Sequence, residues 1–338
     1  GGERGYGQAL PRSYLTGETV EEAEDSIRNQ WWPAIRALEF APSKSGWEWL
    51  GVLDPLYRRA DAKRKNASYA ALEIAVVDAL ARACGVSAAA LWRGSGGAVP
   101  LVGVVPAVGP RKAALMARAY RLLGYKRLKV KVGDDPGSER ERVAAVRGAA
   151  GKGMWLALDA NAAWNRVVAP ARIAALAPFE PALIEEPLAD GREPGALPAL
   201  EKETGVETMA DESLVSLRDA ARFLTSGGPS WWNLRIAKVG GFSGMRALGE
   251  LARENGVKIF GGVLVGETSA LAAAGRACLG LAEFQCMEYG FPRFLLKGDP
   301  FRGGPGGFGG MANPLDVFRP GLGVSCADIP QFRRQVDF

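Results

Sequence analysis

Five charged residues follow short apolar segments at nearly constant spacing in the middle of this 338-residue chain. The segments read LKVKVG, LALDAN, LIEEP, MADES and NLRIAKVGG, and the charged residues that recur in them are Lys131, Asp159, Glu185, Asp211 and Lys238. Successive members of the series are 28, 26, 26 and 27 residues apart. One strand, one helix and their connections have this length, so the spacing predicts repeated β-α units with these residues at the strand ends.

Such a repeat is typical of a (β/α)8 barrel, in which parallel strands form the centre and helices form the outer ring. The carboxyl ends of all strands meet at one mouth, where a barrel builds its active site. The five charged groups, with Lys238 on the sixth strand, are therefore expected to face one another there. A single charge at a strand end is equally well explained by contact with solvent, and only the complete set indicates a site.

Two lysines share one face of the second predicted strand. Leu128, Val130 and Val132 alternate with Lys129 and Lys131. Because a barrel strand is covered by helices on its outer side, the apolar residues should point outward and both lysines inward. Like charge and loss of water both lower a lysine pKa, which makes the amine a base near neutral pH. The alternative is that each lysine pairs with a neighbouring carboxylate.

Three carboxylates follow the next three strands. Asp159, Glu185 and Asp211 offer oxygen ligands without histidine or cysteine, a donor set typical of a hard cation. The expected cofactor is Mg²⁺, with Mn²⁺ as the alternative. A metal that binds a substrate carboxylate makes the neighbouring α-proton removable, and lysines on opposite sides of the barrel could take that proton.

The composition excludes several other kinds of site. The chain contains no histidine, which excludes Ser-His and Cys-His triads, His-ligated zinc and a histidine base. Its 42 basic residues are interspersed with 37 acidic ones, so no basic block indicates a nucleic-acid partner. No apolar run reaches the roughly 18 residues of a membrane helix. The 4 cysteines form no CxxC pair and are interpreted as reduced thiols of a cytoplasmic protein.

These motifs together resemble the enolase superfamily, and within it the muconate lactonizing enzyme (muconate cycloisomerase) subgroup. The matching elements are the K-x-K of Lys129 and Lys131, the D-x-N of Asp159 and Asn161, Glu185 in IEEP, Asp211 in ADES, and Lys238 in K-x-G-G. Glu267 in GET and Glu288 in MEYG fall where the family carries acids at its seventh and eighth strands. The segment PGLGV at 320–324 resembles the family's C-terminal closing segment.

The resemblance implies an α/β fold, a modified enolase-like TIM-type (β/α) barrel with an α+β capping domain. The barrel is expected at 98–296 and the cap at 1–97 plus 297–338. Within the cap, helices are predicted at 19–40 and 67–84, and 41–66 is predicted to be irregular. Relatives carry an N-terminal β-ribbon and a mobile lid loop before the segment that matches GGERGYGQ, so part of the cap is expected to be missing here. Relatives are often oligomeric, which predicts a homo-oligomer.

The resemblance also implies roles for the site residues. Asp159, Glu185 and Asp211 would bind one Mg²⁺, which would stabilise an enediolate formed when the α-proton leaves. Lys131 and Lys238 would be the acid and base on opposite faces of the substrate. Lys129 would tune Lys131 and contact a substrate oxygen, Asn161 would support the site from behind, and Glu212 would orient Lys238 or the groups around the metal. The candidates for contact with the substrate are Arg12, Tyr14, Glu267 and Glu288.

The absence of histidine separates the subgroups. Members that resemble mandelate racemase use a His-Asp base, and members that resemble enolase lack the lysine pair. The resemblance therefore implies an isomerase, either a cycloisomerase or a racemase or epimerase of an amino-acid derivative, acting on a small carboxylate. An o-succinylbenzoate synthase-type dehydratase, which is a lyase, is the alternative. Dipeptide epimerases of the subgroup usually carry Asp-x-Asp at strand eight, where this chain reads Met287, Glu288, Tyr289.

Two other interpretations of the function stay open. One is a barrel that retains the metal site and serves as a binding or structural protein. The other is a Schiff-base lysine enzyme, which the lysines alone would allow but the three carboxylates do not explain.

Overall fold

Eight parallel strands form a closed barrel in the computed structural model, which describes residues 3–92, 97–290, 292–306, 309–313, 317 and 319–326. The strands are β1 (Val99–Val105), β2 (Arg127–Lys131), β3 (Trp155–Asp159), β4 (Leu183–Glu185), β5 (Glu207–Ala210), β6 (Trp231–Leu234), β7 (Lys258–Gly261) and β8 (Phe284–Glu288). Each strand pairs with the next along the chain, and β1 also pairs with β8, which closes the ring. The predicted TIM-type barrel is confirmed.

Four α-helices precede the barrel in the described part of the chain. They are α1 (Val20–Ser26), α2 (Trp32–Arg36), α3 (Gly46–Ala62) and α4 (Asn66–Ala83), with a π-helical turn at Ile27–Trp31. The prediction that 41–66 is irregular was wrong, because α3 lies within it. Trp49, Leu53 and Tyr57 recur every four residues and are buried, so their packing outweighs the cost of Pro55 inside the helix.

The outer ring consists of the helices between the strands. They are α5 (Pro110–Leu122), α6 (Pro136–Ala150), α7 (Ala169–Leu176), α8 (Ala196–Thr204), α9 (Leu217–Ser226), α10 (Ile236–Val239), α11 (Gly241–Glu254) and α12 (Ser269–Ala277). The cap helix α4 packs against α10 and α11, and α3 packs against α11. The cap therefore lies against the part of the barrel that follows β6. None of the described helices combines the length and the apolar composition needed to cross a membrane.

The barrel interior is filled by one apolar side chain from each strand except β2: Val102, Ala157, Leu183, Met209, Trp231, Phe260 and Cys286. On β2, Leu128 and Val130 belong instead to the core between strands and helices. The Nζ of Lys129 lies 5.2 Å from the ring centroid of Phe260, inside the barrel. The alternation on β2 thus points Lys129 inward, as predicted.

The chain beyond the barrel returns to the cap. It contains α13 (Pro292–Leu295), β9 (Phe301–Gly303), β10 (Met311–Ala312) and β11 (Val324–Cys326). Strand β10 pairs antiparallel with β1, and β9 with β11. Arg82 on α4 donates to the Val324 carbonyl oxygen at 2.7 Å, and the Leu322 amide donates to Asp78 at 2.7 Å. These bonds attach the PGLGV segment to a cap helix.

Phe242 connects the outer ring to the cap. Its side chain is fully buried, and its ring centroid lies 5.3 Å from that of Trp92. Replacing Phe242 by alanine should lower the free energy of unfolding by about 3–5 kcal/mol, because it leaves a cavity. Leu122, which is 85% exposed, provides the control, since Leu122→Ala should change this free energy by less than about 0.5 kcal/mol. Urea denaturation measures both values, and similar losses would contradict the packing described here.

Candidate active site

The ends of β3, β4 and β5 carry the three predicted carboxylates. Asp159 and Glu185 are directly paired residues on neighbouring strands, and Asp211 follows the last residue of β5. All three side chains are fully buried. Because neighbouring parallel strands end at the same edge of the sheet, the structure brings these three carboxylates together at the barrel mouth.

Lys129 lies among these acids. Its Nζ lies 2.6 Å from Glu185 Oε2, 2.5 Å from Glu288 Oε1 and 3.3 Å from Asp159 Oδ2. Burial opposes its charge, but Glu185, Glu288 and Asp159 together raise the pKa of Lys129 well above its ordinary value. The expectation that this lysine has a lowered pKa was therefore wrong. These contacts favour the protonated form of Lys129.

Lys131 is the lysine of β2 that reaches the mouth. Its side chain is 28% exposed, and its Nζ donates to Asp159 Oδ2 at 2.5 Å and to Asn161 Oδ1 at 2.7 Å. Asn161 in turn donates through Nδ2 to Glu212 Oε1 at 3.1 Å. Asn161 and Glu212 thus form a hydrogen-bonded support for Lys131, and the Glu212 contact is with Asn161 rather than with Lys238.

Lys238 is not on the sixth strand, and that prediction was wrong. Strand β6 stops at Leu234, and Lys238 lies on the single-turn helix α10. Its Nζ donates to Asp211 Oδ1 at 2.7 Å and to the carbonyl oxygens of Asp211 and Asn233 at 2.8 Å each. Burial lowers the pKa of Lys238, and Asp211 offsets this effect only in part. A lowered pKa makes the neutral amine of a lysine more accessible as a base.

Arg235 was not among the residues predicted from the sequence. Its Nη2 contacts Asp211 Oδ2 and lies 3.4 Å from Glu185 Oε1, so it bridges two predicted metal ligands. Asn233 Nδ2 also donates to Glu185 Oε1, at 2.6 Å. Both residues belong to NLRIAK at the end of β6. The other charged residues were selected because they follow an apolar run at the end of a strand. Arg235 directly follows β6 and meets the same criterion.

The acids of the site outnumber the bases. Five carboxylates, from Asp159, Glu185, Asp211, Glu212 and Glu288, lie with four bases, Lys129, Lys131, Arg235 and Lys238. Burial and the neighbouring Asp159 raise the pKa of Glu185 to about 8, so a further cation would favour its charged form. Three oxygen donors without nitrogen or sulfur fit Mg²⁺.

In this structure the three carboxylates form ion pairs with lysine amines and an arginine guanidinium. Across the described ranges, no three Asp, Glu, His or Cys side chains are already arranged as ligands of one ion. The cause lies in the contacts above: Lys131 holds Asp159, Lys129 holds Glu185, and Arg235 holds Asp211. The donor chemistry therefore fits a cation, and its binding requires these carboxylate contacts to rearrange.

The other predicted residues lie near β7 and β8. Glu288 ends β8, and its Oε2 accepts a hydrogen bond from the Val263 amide at 3.1 Å. Glu267 is buried in the segment between β7 and α12. Arg12 donates to the Val265 carbonyl oxygen at 3.0 Å, which places the N-terminal segment against the same loop. Tyr14 is 72% exposed, and its contact with a substrate stays a prediction.

Fold and site define a (β/α)8-barrel protein with lysines on two sides of a cluster of strand-end carboxylates. A family model described as Enolase C-terminal domain-like matches residues 112–328, and the chain belongs to this family. The resemblance to the enolase superfamily is thereby confirmed.

Relatives with known activity match nearly the whole chain. L-Ala-D/L-Glu epimerase of Bacillus subtilis (strain 168) is 27% identical over 329 residues, which cover 96% of this chain and 86% of the relative. N-succinylamino acid racemase of Amycolatopsis sp is 30% identical over 302 residues, which cover 87% of this chain and 74% of the relative. The solved structure of a substrate-liganded complex of the Bacillus subtilis epimerase has a TM-score of 0.82 at 26% identity, covering 96% of this chain and 88% of that one. The chain is an enzyme of the isomerase class.

The contacts of Lys129 predict that it contributes more to stability than Lys131 does. Lys129→Met should lower the free energy of unfolding in metal-free buffer by about 3–5 kcal/mol, because it leaves buried carboxylates without their partner. Lys131→Met is the matched control on the same strand. It should cost less than half as much, because Lys131 is partly exposed and Lys129 still faces Asp159. Denaturant titration measures the free energy of unfolding of both variants, and an equal decrease in the two would contradict the role assigned to Lys129.

Proposed function

We propose that this isomerase is a Mg²⁺-dependent racemase or epimerase of amino-acid derivatives, which removes and returns the proton on the carbon next to a carboxylate. The placement of Lys131 and Lys238 carries the proposal. Lys131 ends β2 and Lys238 follows β6, four places further around the ring of eight strands. A substrate held between them has one amine on each face of its α-carbon, which is the arrangement that inversion requires.

Asp159, Glu185 and Asp211 would hold the Mg²⁺ ion, with Mn²⁺ as the alternative. When bound, the ion would neutralise the negative charge that develops on the substrate carboxylate as the α-proton leaves. The positive charge of Lys129 would also stabilise the negative charge on the substrate carboxylate. Lys129 keeps its own proton because its ammonium group pairs with Glu288 in addition to the predicted metal ligands.

Proton transfer is assigned to the two outer lysines. Lys238, whose pKa is lowered by burial, takes the α-proton in its neutral form, and the electron pair of the C–H bond passes into the carboxylate group. Lys131, as an ammonium ion, delivers a proton to the opposite face of the same carbon. The reverse reaction exchanges the two roles. Asn161 orients Lys131 through the hydrogen bond at 2.7 Å.

The substrate class follows from the relatives rather than from the lysines. One relative is named for a dipeptide, L-Ala-D/L-Glu, and the other for N-succinylamino acids. Both names describe an α-amino acid with an acylated nitrogen and a carboxylate beside the carbon that inverts. This shared chemistry supports a small acylated amino acid as substrate of the present chain.

Hydrogen exchange tests the reaction. Incubation with Mg²⁺ in D₂O and pooled N-acyl amino acids or dipeptides should add one deuterium to the α-carbon, with inversion of configuration, and EDTA should abolish the mass gain. Lys131→Ala and Lys238→Ala should each lower turnover by about 100- to 10,000-fold, because each removes one proton-transfer group. Lys126→Ala, at an exposed position before β2, should keep the wild-type rate. A wild-type rate in either active-site variant, or turnover confined to muconate-like diacids, would refute the proposal.

Metal binding is tested separately from turnover. Mg²⁺ at 100 times its dissociation constant should raise the free energy of unfolding by about 2.7 kcal/mol. Asp211→Asn should abolish most of this gain, because it removes a ligand charge. Lys238→Ala should keep it, and so should Asp25→Asn, at an exposed cap position. Calorimetric titration with Mg²⁺ gives the affinities, and a wild-type protein that neither binds nor is stabilised by Mg²⁺ would rule out the metal-dependent mechanism.

A further inference from the structure

The end of β2 is held by a buried arginine that has no part in the proposed chemistry. Arg142, in the middle of α6, is 3% exposed. Its Nη1 donates to the Lys131 carbonyl oxygen at 2.7 Å, and its Nε donates to the Val108 carbonyl oxygen at 2.8 Å. One guanidinium therefore joins the last residue of β2 to the loop that follows β1.

Asp134 orients this guanidinium. The Nη1 of Arg142 donates to Asp134 Oδ1 at 3.2 Å, and its Nη2 contacts Asp134 Oδ2. Hydrogen bonding from Arg142 holds the pKa of Asp134 below its ordinary value, so the carboxylate stays charged at neutral pH. A planar guanidinium that is bound to a carboxylate on one side presents its other N–H groups in fixed directions, here toward the two carbonyl oxygens.

Glu139, one turn before Arg142 on α6, supports the same connection. Its side chain is buried, its Oε2 accepts a hydrogen bond from the Gly133 amide at 2.9 Å, and its Oε1 pairs with Arg172 at 2.6 Å. Gly133 has a φ of +98°, and a Cβ there would lie 2.7 Å from the Ala160 carbonyl oxygen. The connection between β2 and α6 is therefore fixed by charged side chains and by a close approach to the neighbouring strand.

The position of the Lys131 amine depends on this backbone. The side chain of Lys131 is 28% exposed, whereas that of Lys129 is only 2% exposed, so packing restricts Lys131 less. The Val132 amide donates to the Asp159 carbonyl oxygen at 2.8 Å, which holds the next peptide group against β3. Arg142 holds the carbonyl oxygen of Lys131 itself, so a change at Arg142 would move the backbone from which the amine extends.

Arg142 contacts the backbone of one of the two proton-transfer lysines. Its hydrogen bonds reach the segments that follow β1 and β2. Lys238 is held instead by Asp211 and Asn233, near the ends of β5 and β6. A change at Arg142 should therefore disturb Lys131 and leave Lys238 in place.

We propose that Arg142 is a positioning residue for Lys131, whose guanidinium fixes the end of β2 so that the amine faces the α-carbon of the substrate. The inference rests on the proposed function, which assigns one lysine to each face of that carbon. A substrate of one configuration loses its α-proton to Lys131, and a substrate of the opposite configuration loses it to Lys238. Loss of Arg142 should therefore slow proton removal from one configuration, whereas a general loss of stability would slow both.

Deuterium exchange with the two configurations in separate samples tests the inference. The enzyme is incubated in D₂O and Mg²⁺ with a pool of either N-acetyl and N-succinyl L-amino acids or their D forms, and the initial mass gain is measured. Lys131→Ala identifies the pool whose exchange requires Lys131. Arg142→Met should slow the exchange of that pool by about 10- to 100-fold, the effect expected when a catalytic group moves by about 1 Å. The exchange of the other pool should stay within about twofold of the wild-type rate.

Arg147→Met is the matched control on the same helix. Arg147 also donates to backbone carbonyl oxygens, those of Phe179 at 2.9 Å and Met154 at 2.6 Å, but these precede β4 and β3 at the opposite end of the barrel. This variant should leave the ratio of the two exchange rates unchanged.

Arg142→Lys provides the result if the methionine variant does not fold. It keeps the positive charge but not the planar group that reaches both carbonyl oxygens, so it should slow the same pool by a smaller factor. Equal slowing of both pools by the Arg142 variants, or slowing of neither, would overturn the positioning role.

A measurement without substrate separates this inference from the proposed function. In protein labelled with ¹³C-lysine, the Cε signal that disappears in Lys131→Met belongs to Lys131. Arg142→Met should shift this signal and Arg147→Met should not, and an unchanged signal in Arg142→Met would overturn the inference. A shifted signal in a protein whose wild type exchanges neither pool would support the control of Lys131 by Arg142 and contradict the proposed isomerisation.

Discussion

The pairing of buried carboxylates with buried cations is the constraint on which the mouth of this barrel depends. Asp159, Glu185 and Asp211 are all removed from water, and an unpaired charge there would cost several kcal/mol. Lys129 and Arg235 each contact two of these three acids. Because the strands carry their apolar residues on the outside, where they form the main core, the inward positions at the mouth are left for these charges.

The cap helps to determine where Lys238 lies. Glu73 on α4 is fully buried, and its Oε2 accepts a hydrogen bond from the Ser243 amide at 3.1 Å, in the first turn of α11. Gly241, the first residue of α11, has a φ of +76° and passes so close to Glu73 that a Cβ would lie 2.1 Å from its Oε2. A glycine is needed on both counts. The contact fixes the chain three residues after Lys238, so the cap helps to position the lysine to which proton transfer is assigned in the proposed function.

The sequence predicts those features of the fold that depend on the spacing and alternation of apolar residues. It does not predict features that depend on contacts between distant segments of the chain. The spacing of about one strand and one helix predicted the barrel, and alternation on β2 predicted the inward lysine. The spacing between charged residues does not show where a strand ends. It therefore led to Lys238 being assigned to the sixth strand, whereas β6 ends at Leu234 and Lys238 lies on α10. The high pKa of Lys129 results from Asp159, Glu185 and Glu288, which lie on three other strands, and alternation within β2 carries no information about them. Likewise, α3 forms around Pro55 because its buried face packs against α4 and α11.

The charged residues at the mouth of the barrel come from two parts of the ring of strands. The groups assigned to the reaction follow β2 to β6, whereas Glu267 follows β7 and Glu288 ends β8. The loop that carries Glu267 is held by the N-terminal segment, since Gln8 Oε1 accepts from the Thr268 amide at 2.9 Å and Arg12 donates to the Val265 carbonyl oxygen. The strand ends therefore position the groups to which the reaction is assigned. The N-terminal segment and the β7 loop position Glu267, and Glu288 joins the two parts of the ring, because its Oε1 lies 2.5 Å from the Nζ of Lys129.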